Sequence, residues 1–164
     1  MDITITAFPE DELSAIAKWR SADDVHRYIR RGYTTLGEVG KWYRGYFSSE
    51  ANRLLGILVD GQLIGYCTIE HMNLDDKKCE VGILIGEKAY WHQGIGSAVI
   101  RELLKRAFAA LSMHRVEAVI HADNGASIQC FARAGFHLDG TLRDAKCRDG
   151  RYVDIRSWIA SGIV

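Results

Sequence analysis

The sequence predicts an α+β fold: one mixed, strongly twisted sheet with an antiparallel N-terminal meander, a single β-α-β crossover, and helices on both faces. Three observations carry this expectation. Short runs near the start, middle and end alternate apolar with polar residues, the period of half-buried strands. Two Asp-Gly pairs, Asp60-Gly61 and Asp149-Gly150, stand between such runs and mark tight hairpins. Between them the period lengthens over Ser97–Leu111. There Val99, Ile100, Leu103, Leu104, Ala107, Phe108 and Leu111 form one stripe, and Arg101, Glu102, Lys105 and Arg106 point away.

The remaining elements follow in order. Asp2–Ala7 reads as a strand, and Glu10–Ile29 as one or two helices with Leu13, Ile16, Ala17, Trp19, Val25 and Ile29 inward. Thr35 with Glu38 three residues later makes a capping box, opening a helix that runs through Trp42, Tyr43 and Tyr46 to Phe47. Leu54–Val59 and Gln62–His71 form a hairpin, and Cys79–Ile85 a further strand whose Gly82 implies a bulge or a close backbone approach. Val116–His121 is a strand and Ala126–Ala134 a short helix closed by Gly135. Phe136–Cys147 and Arg151–Ala160 are the last two strands.

Composition narrows the function. A chain of 164 residues fits one domain, residues 1–164, large enough to form a core without staples or metal. Lys+Arg and Asp+Glu both number 21, so no net field argues for nucleic acid or a membrane surface. Cys67, Cys79, Cys130 and Cys147 stand apart with no C-x-x-C pair and read as reduced thiols of a cytoplasmic protein. The start lacks a signal-peptide pattern, and no apolar run approaches the ~20 residues of a membrane span. His26, His71, His92, His114, His121 and His137 are scattered without ligand spacing, so no metal is expected.

One segment reads either as an ordinary strand-to-helix turn or as a phosphate-binding loop. Tyr90-Trp91-His92-Gln93-Gly94-Ile95-Gly96-Ser97-Ala98 joins a strand to a helix. The first backbone N–H groups of a helix lack partners and, with the helix dipole, attract a phosphate; Gly94 and Gly96 let the backbone approach one closely. A nucleoside triphosphate loop needs Lys-Ser/Thr after the second glycine, where Ser97-Ala98 stand. A dinucleotide loop needs a third glycine or alanine where Val99 stands.

Together with that loop, Asn124-Gly125-Ala126-Ser127-Ile128-Gln129-Cys130-Phe131-Ala132-Arg133-Ala134-Gly135-Phe136 resembles the GNAT superfamily of N-acetyltransferases. Gly140-Thr141-Leu142-Arg143 and Gly150-Arg151-Tyr152-x-Asp154 look like the branch holding ribosomal-protein N-terminal, spermidine and nucleotide-amino-sugar acetyltransferases. The resemblance implies acetyl-CoA as cosubstrate and an amine as acceptor. Backbone N–H groups of Gln93, Gly94, Ile95, Gly96, Ser97 and Ala98 would hold the pyrophosphate. Gly82, Ile83, Leu84 and Ile85 would pair with the pantetheine arm, with oxyanion donors around Leu84 and Ile85. Asn124 would bind the pantetheine, with Ser127 and Phe131 near the sulfur.

The catalytic expectations are Glu80 as base for the amine, with His71 as a second candidate, and Ser127 as proton donor to the thiolate. The family's tyrosine donor is replaced by Phe131, which has no proton to give. A thiol of pKa ~8.5 leaves unprotonated at a cost of only about 1–2 kcal/mol. Lys146 stands where the ribosomal-protein branch carries a glutamate, which tilts the acceptor toward a small amine-bearing metabolite. Asp23-Asp24 and Asp75-Asp76 are candidate carboxylates for a polyamine, and Arg27, Arg30, Arg31 and Arg44 candidate cations for a nucleotide-sugar. A peptide N-terminus, a non-catalytic acyl-CoA-binding role and a homodimer stay open.

Overall fold

The computed structural model describes residues 1–29 and 32–162. Arg30 and Arg31 lie outside the described residues. One sheet in the order β1-β2-β3-β4-β5-β7-β6 runs through the molecule. Its strands are β1 (Ile3–Ala7), β2 (Arg53–Val59), β3 (Gln62–Asn73), β4 (Lys78–Ile85), β5 (Arg115–His121), β6 (His137–Arg148) and β7 (Arg151–Ser161). Only β4 and β5 pair in parallel, through the right place for the expected crossover, α4 (Ile95–Lys105).

Local chemistry accounts for the joints. Asp60 and Gly61 have φ of 49° and 82°, and Asp149 and Gly150 of 51° and 76°, so both Asp-Gly pairs sit in left-handed turns whose twist matches the strands they join. Thr35 accepts from the Glu38 N–H at 3.3 Å, and the Glu38 carboxylate accepts from the Thr35 N–H at 3.0 Å. This box opens α3 (Leu36–Tyr46). The region before it is more broken than one or two long helices: a 3-10 turn at Glu10–Glu12, then α1 (Leu13–Arg20) and α2 (Asp23–His26).

Two cores lie on opposite faces of the sheet. One packs α4 against Ile57, Ile64, Cys67, Val81, Val116 and Trp158; the other packs α1 and α3 against Leu54, Tyr66 and Leu84. The stripe expected at 97–111 is seated as read, but α-helix gives way to a π turn at Arg106–Ala110, with the Leu111 N–H reaching back to the Arg106 carbonyl at 3.0 Å. Helix α5 (Gly125–Arg133) ends at Gly135, φ 106°. The Phe136 N–H bonds the Phe131 carbonyl and the Gly135 N–H the Ala132 carbonyl, both at 3.1 Å. The two phenyl rings meet edge to face at 5.1 Å, the apolar contact that accompanies this type of helix end.

Gly82 is not bulged: it stands opposite Thr68 in regular register, and a β-carbon there would lie 2.8 Å from the Thr68 hydroxyl. The irregularity falls in β3 instead, between Glu70 and Asn73. His71 there has φ 53°, a left-handed conformation uncommon for a residue with a β-carbon. Buried Asn52 holds it, accepting from the His71 N–H at 3.0 Å while its own amide donates to the Tyr46 carbonyl at 3.0 Å. Asn52→Ala therefore leaves two polar groups without partners. We expect a loss of roughly 1–3 kcal/mol, read as a fall in Tm of about 2–4 °C per kcal/mol in thermal unfolding.

Candidate functional site

Strands β4 and β5 stay paired for only three residues each, Lys78–Glu80 against Arg115–Glu117. Past that point they diverge, and a cavity of about 890 Å³ opens between them. Its walls are β4 from Val81 to Ile85, the loop and first turn of α4, β5 from Val119 to His121, and α5. Of the residues expected to hold the cosubstrate, Gly82, Ile83, Leu84, Ile85, Gln93, Gly94, Ile95, Gly96, Ser97, Asn124, Ser127 and Phe131 all line it.

Ala98 does not. Its N–H is consumed by the Gly94 carbonyl at 3.1 Å, the first bond within α4, so the N–H groups without a partner in the helix end at Ser97. Gly94 occupies the cap position with φ 78° and nothing near its missing β-carbon. Gly96 also has a packing role. A β-carbon there would sit 2.7 Å from the Cys130 sulfur, so the glycine lets α4 approach α5 rather than leaving room for a ligand alone. The Trp91 indole N–H donates to the Ile85 carbonyl at 2.8 Å, fastening the loop to the end of β4.

Asn124 caps α5, its side-chain oxygen accepting from the Ser127 N–H at 3.2 Å. The residue also lines the cavity. Phe131 is 3% exposed and committed to Phe136, so it contributes an apolar wall and fixes the end of α5. Cys130 lies under the helix crossing, and burial pushes its thiol above the ordinary range, which keeps it protonated and unsuited to forming a covalent acyl-enzyme.

Glu80 sits where the strands part, one residue before the cavity lining begins. In register it faces Glu70 on β3 and Glu117 on β5, which sets three carboxylates in a row across the sheet. Burial is the main influence pushing the Glu80 carboxyl above its usual range, helped by Glu70 and Glu117 and opposed by His71. His71 Nδ1 lies 3.3 Å from Glu80 Oε2, so the two base candidates form one unit. Glu117 is held by Arg115 at 2.6 Å.

Several lining residues gave no signal in the sequence. Tyr28 and Ile29 reach the cavity from the α2 side, and Tyr28 meets the His121 ring edge-on at 6.2 Å. His121 Nδ1 is buried with no hydrogen-bond partner among the described residues, and burial lowers the pKa of the ring. Arg133, one turn beyond Gln129 on α5, adds a cation to the wall. One carboxylate of each acidic pair proposed for a polyamine is in an ion pair: Asp24 with Lys88, and Asp76 with Lys78 at 3.8 Å. Among the described residues no group of three or more His, Cys, Asp or Glu is placed to hold a metal ion, and no helix is long and apolar enough to cross a membrane.

Residues 2–137 match the acetyltransferase (GNAT) domain family. The chain belongs to the GNAT family of acetyltransferases. It is 28% identical over 107 residues to an uncharacterized N-acetyltransferase, p20, of Bacillus licheniformis, covering 65% of this chain and 60% of that protein's length. It is 24% identical to the spermidine N(1)-acetyltransferase of Vibrio cholerae, over 94% of this chain and 90% of that one. A crystal structure of the Vibrio cholerae spermidine N-acetyltransferase with CoA and spermine superposes with a TM-score of 0.89 at 20% identity, covering 97% of this chain and 95% of that chain. At that identity the likeness establishes the GNAT fold.

Two outcomes test this geometry. Gly96→Ala should cost about 1–3 kcal/mol by overpacking, and Cys130→Ala in the same chain should return most of it. Additive losses in thermal unfolding would show that the crossing is not tight. Glu80→Gln should gain stability relative to wild type as pH rises from about 4 toward neutral. The raised carboxyl favours the native state only while protonated, so wild type loses that contribution as pH climbs through the folded pKa and the amide does not.

Proposed function

We propose that this GNAT protein transfers acetyl from acetyl-CoA to the primary amine of a small, cationic metabolite by direct attack in a ternary complex. The observation that carries this reading is the coincidence of an anion cradle and a carboxylate at opposite ends of one cleft. The unpaired N–H groups at the start of α4 suit the pyrophosphate, and the open edge of Val81–Ile85 suits an extended amide-bearing arm running toward Glu80. Gly94 in its left-handed cap position and the orphaned His121 nitrogen in the wall are features of a site built around a polar ligand.

Bound acetyl-CoA would supply the activated acyl carbon and the thiolate leaving group. The rest falls to this chain. Glu80, its affinity for a proton raised by burial, takes one proton from the acceptor's ammonium so that the nitrogen lone pair is free. Backbone N–H groups of β4 near Leu84 and Ile85 meet the developing oxyanion, and Ser127 in the cavity wall donates to the sulfur. The buried, protonated Cys130 favours direct attack over an acyl-enzyme.

The row of Glu70, Glu80 and Glu117 makes the apex acidic, which favours an ammonium-bearing acceptor over an amino group on an anionic carrier. Similarity over nearly the whole chain to a spermidine acetyltransferase supports the same class. The test has two parts. Coenzyme A should raise the Tm, by the equivalent of about 2.7 kcal/mol at a hundredfold excess over Kd, whereas NAD should not. Released coenzyme A is then followed with spermidine, an amino-sugar nucleotide and a Ser-starting peptide as acceptors. Spermidine should be turned over fastest, and fastest turnover of the peptide would reverse the substrate assignment. Ser127→Ala should lower kcat with KM little changed; an unchanged kcat would mean that the thiolate leaves unaided.

A further inference from the structure

Neighbouring residues on a strand point to opposite faces, so Glu70 and His71 should not reach the same atom. They do. The Tyr46 hydroxyl donates to Glu70 Oε2 at 2.9 Å and lies 2.9 Å from His71 Nε2. The irregular register after Glu70 and the left-handed backbone of His71 turn its ring back onto the Glu70 face, and Asn52 holds it there. Bulges of this kind re-aim side chains. The result is a continuous chain of contacts from Glu70 through Tyr46 and His71 to Glu80.

Counting hydrogens gives this chain a direction. Three contacts within it, Glu70–Tyr46, Tyr46–His71 and His71–Glu80, need three hydrogens to be filled. With both carboxyls ionised and the imidazole neutral, the group holds two: one on the Tyr46 oxygen and one on the ring. One contact then sets two acceptors against each other. A proton taken up at Glu80 or at the ring fills the third contact, so the group is completed by accepting a proton. The groups facing it among the described residues are Glu70 and His71 from β3, Glu80 from β4, Glu117 with its partner Arg115 from β5, and Tyr46 from α3.

We propose that His71 and Tyr46 form the proton outlet of the site: Glu80 takes the first proton of the acceptor ammonium, His71 Nδ1 accepts it from Glu80, and Nε2 gives up the ring's other proton toward the Tyr46 hydroxyl and water. This rests on the reading of Glu80 as base. The proton balance requires such an outlet. The ammonium loses one proton before the C–N bond forms and a second as the C–S bond breaks. The second stays on the thiol product, and the first must leave the protein. Glu80 has a side chain 33% exposed at the apex of a cleft that the substrates would fill, whereas His71 is 62% exposed and opens to solvent. His71 and Tyr46 thus act through Glu80, as positioning and relay residues.

The experiment measures kcat against pH for wild type, His71→Gln, Tyr46→Phe and Glu80→Gln, with the acceptor of the panel above that turns over fastest. His71→Gln should lower kcat on the order of 10- to 100-fold with both KM values little changed, and added imidazole should restore part of the loss. Tyr46→Phe should displace the acid limb of the profile with a smaller loss. A loss in His71→Gln that imidazole does not relieve, with an unmoved acid limb in both variants, would overturn the outlet while leaving Glu80 in place. Unchanged kcat in Glu80→Gln would instead remove the reading on which the outlet rests.

A second readout needs no turnover and no His71 variant. Imidazole nitrogen NMR of the protein alone should show the His71 ring signals changed in both Glu80→Gln and Tyr46→Phe, because each variant alters or removes a hydrogen-bond partner of one ring nitrogen. Identical His71 ring signals in all three proteins would show that the ring is not coupled to either neighbour, and the proposal fails.

Discussion

Strand β5 is held along its whole length by β7, from Arg115 opposite Ser161 to His121 opposite Ile155, while β4 is held by β3 from Ile85 back to Glu80. Each inner strand therefore follows its outer neighbour, and only three residue pairs join the two halves of the sheet. The rest of the structure depends on that parting. Backbone groups along the inner edge of β4 lose the partner that a continuous sheet would give them, and a buried N–H or carbonyl without a partner is costly. The cleft is thus open to a ligand that can act as the missing strand. Its opening follows from the sheet, and the α4 loop, α5 and residues after α2 complete its walls.

Both ends of the cleft are built from devices that serve stability and chemistry together. At the wide end, Gly94 turns the chain so that the first N–H groups of α4 face one way, and Trp91 fastens the turn to Ile85. Gly96 lets α5 come close enough to form the far wall, and the Phe131–Phe136 contact ends α5 where β6 must begin. At the narrow end, Asn52 ties the strained backbone of His71 to the last turn of α3. Strain of that kind persists only where surrounding contacts hold it, and here it sets a titratable ring beside the Glu80 carboxylate. Burial, helped by the neighbouring Glu70 and Glu117, raises the proton affinity of the Glu80 carboxyl at that end.

Features with short-range causes were legible in the sequence. The Asp-Gly turns, the Thr35–Glu38 box, the α4 stripe and the Gly135 helix end each depend on residues within a few positions of one another, and each appears where its residues stand. The glycine turn opening α4 is local in the same way, and the Ala98 N–H already belongs to the helix ladder. What was hidden depends on contacts across the chain. Nothing near position 71 announces a left-handed histidine, whose cause is Asn52 nineteen residues earlier. The packing role of Gly96 against Cys130 was hidden because the two are remote in sequence. Phe131 looked like a missing acid, and its partner Phe136 supplies a structural reason for its ring. Tyr28 and Ile29 could be assigned to the cavity only once α2 was placed over it.

The central claim is that one cleft places the cosubstrate's reactive end beside Glu80. A crystal structure of this chain with coenzyme A and spermidine tests it most directly. The account predicts the pyrophosphate on the N–H groups of Gly94 to Ser97 and the pantetheine paired with Gly82–Ile85. It further predicts the sulfur at the apex, with an acceptor nitrogen in hydrogen-bond reach of the Glu80 carboxylate directly or through one water. A coenzyme A molecule whose sulfur emerges away from Glu80, or an acceptor amine held by other carboxylates with Glu80 turned from it, would contradict the account.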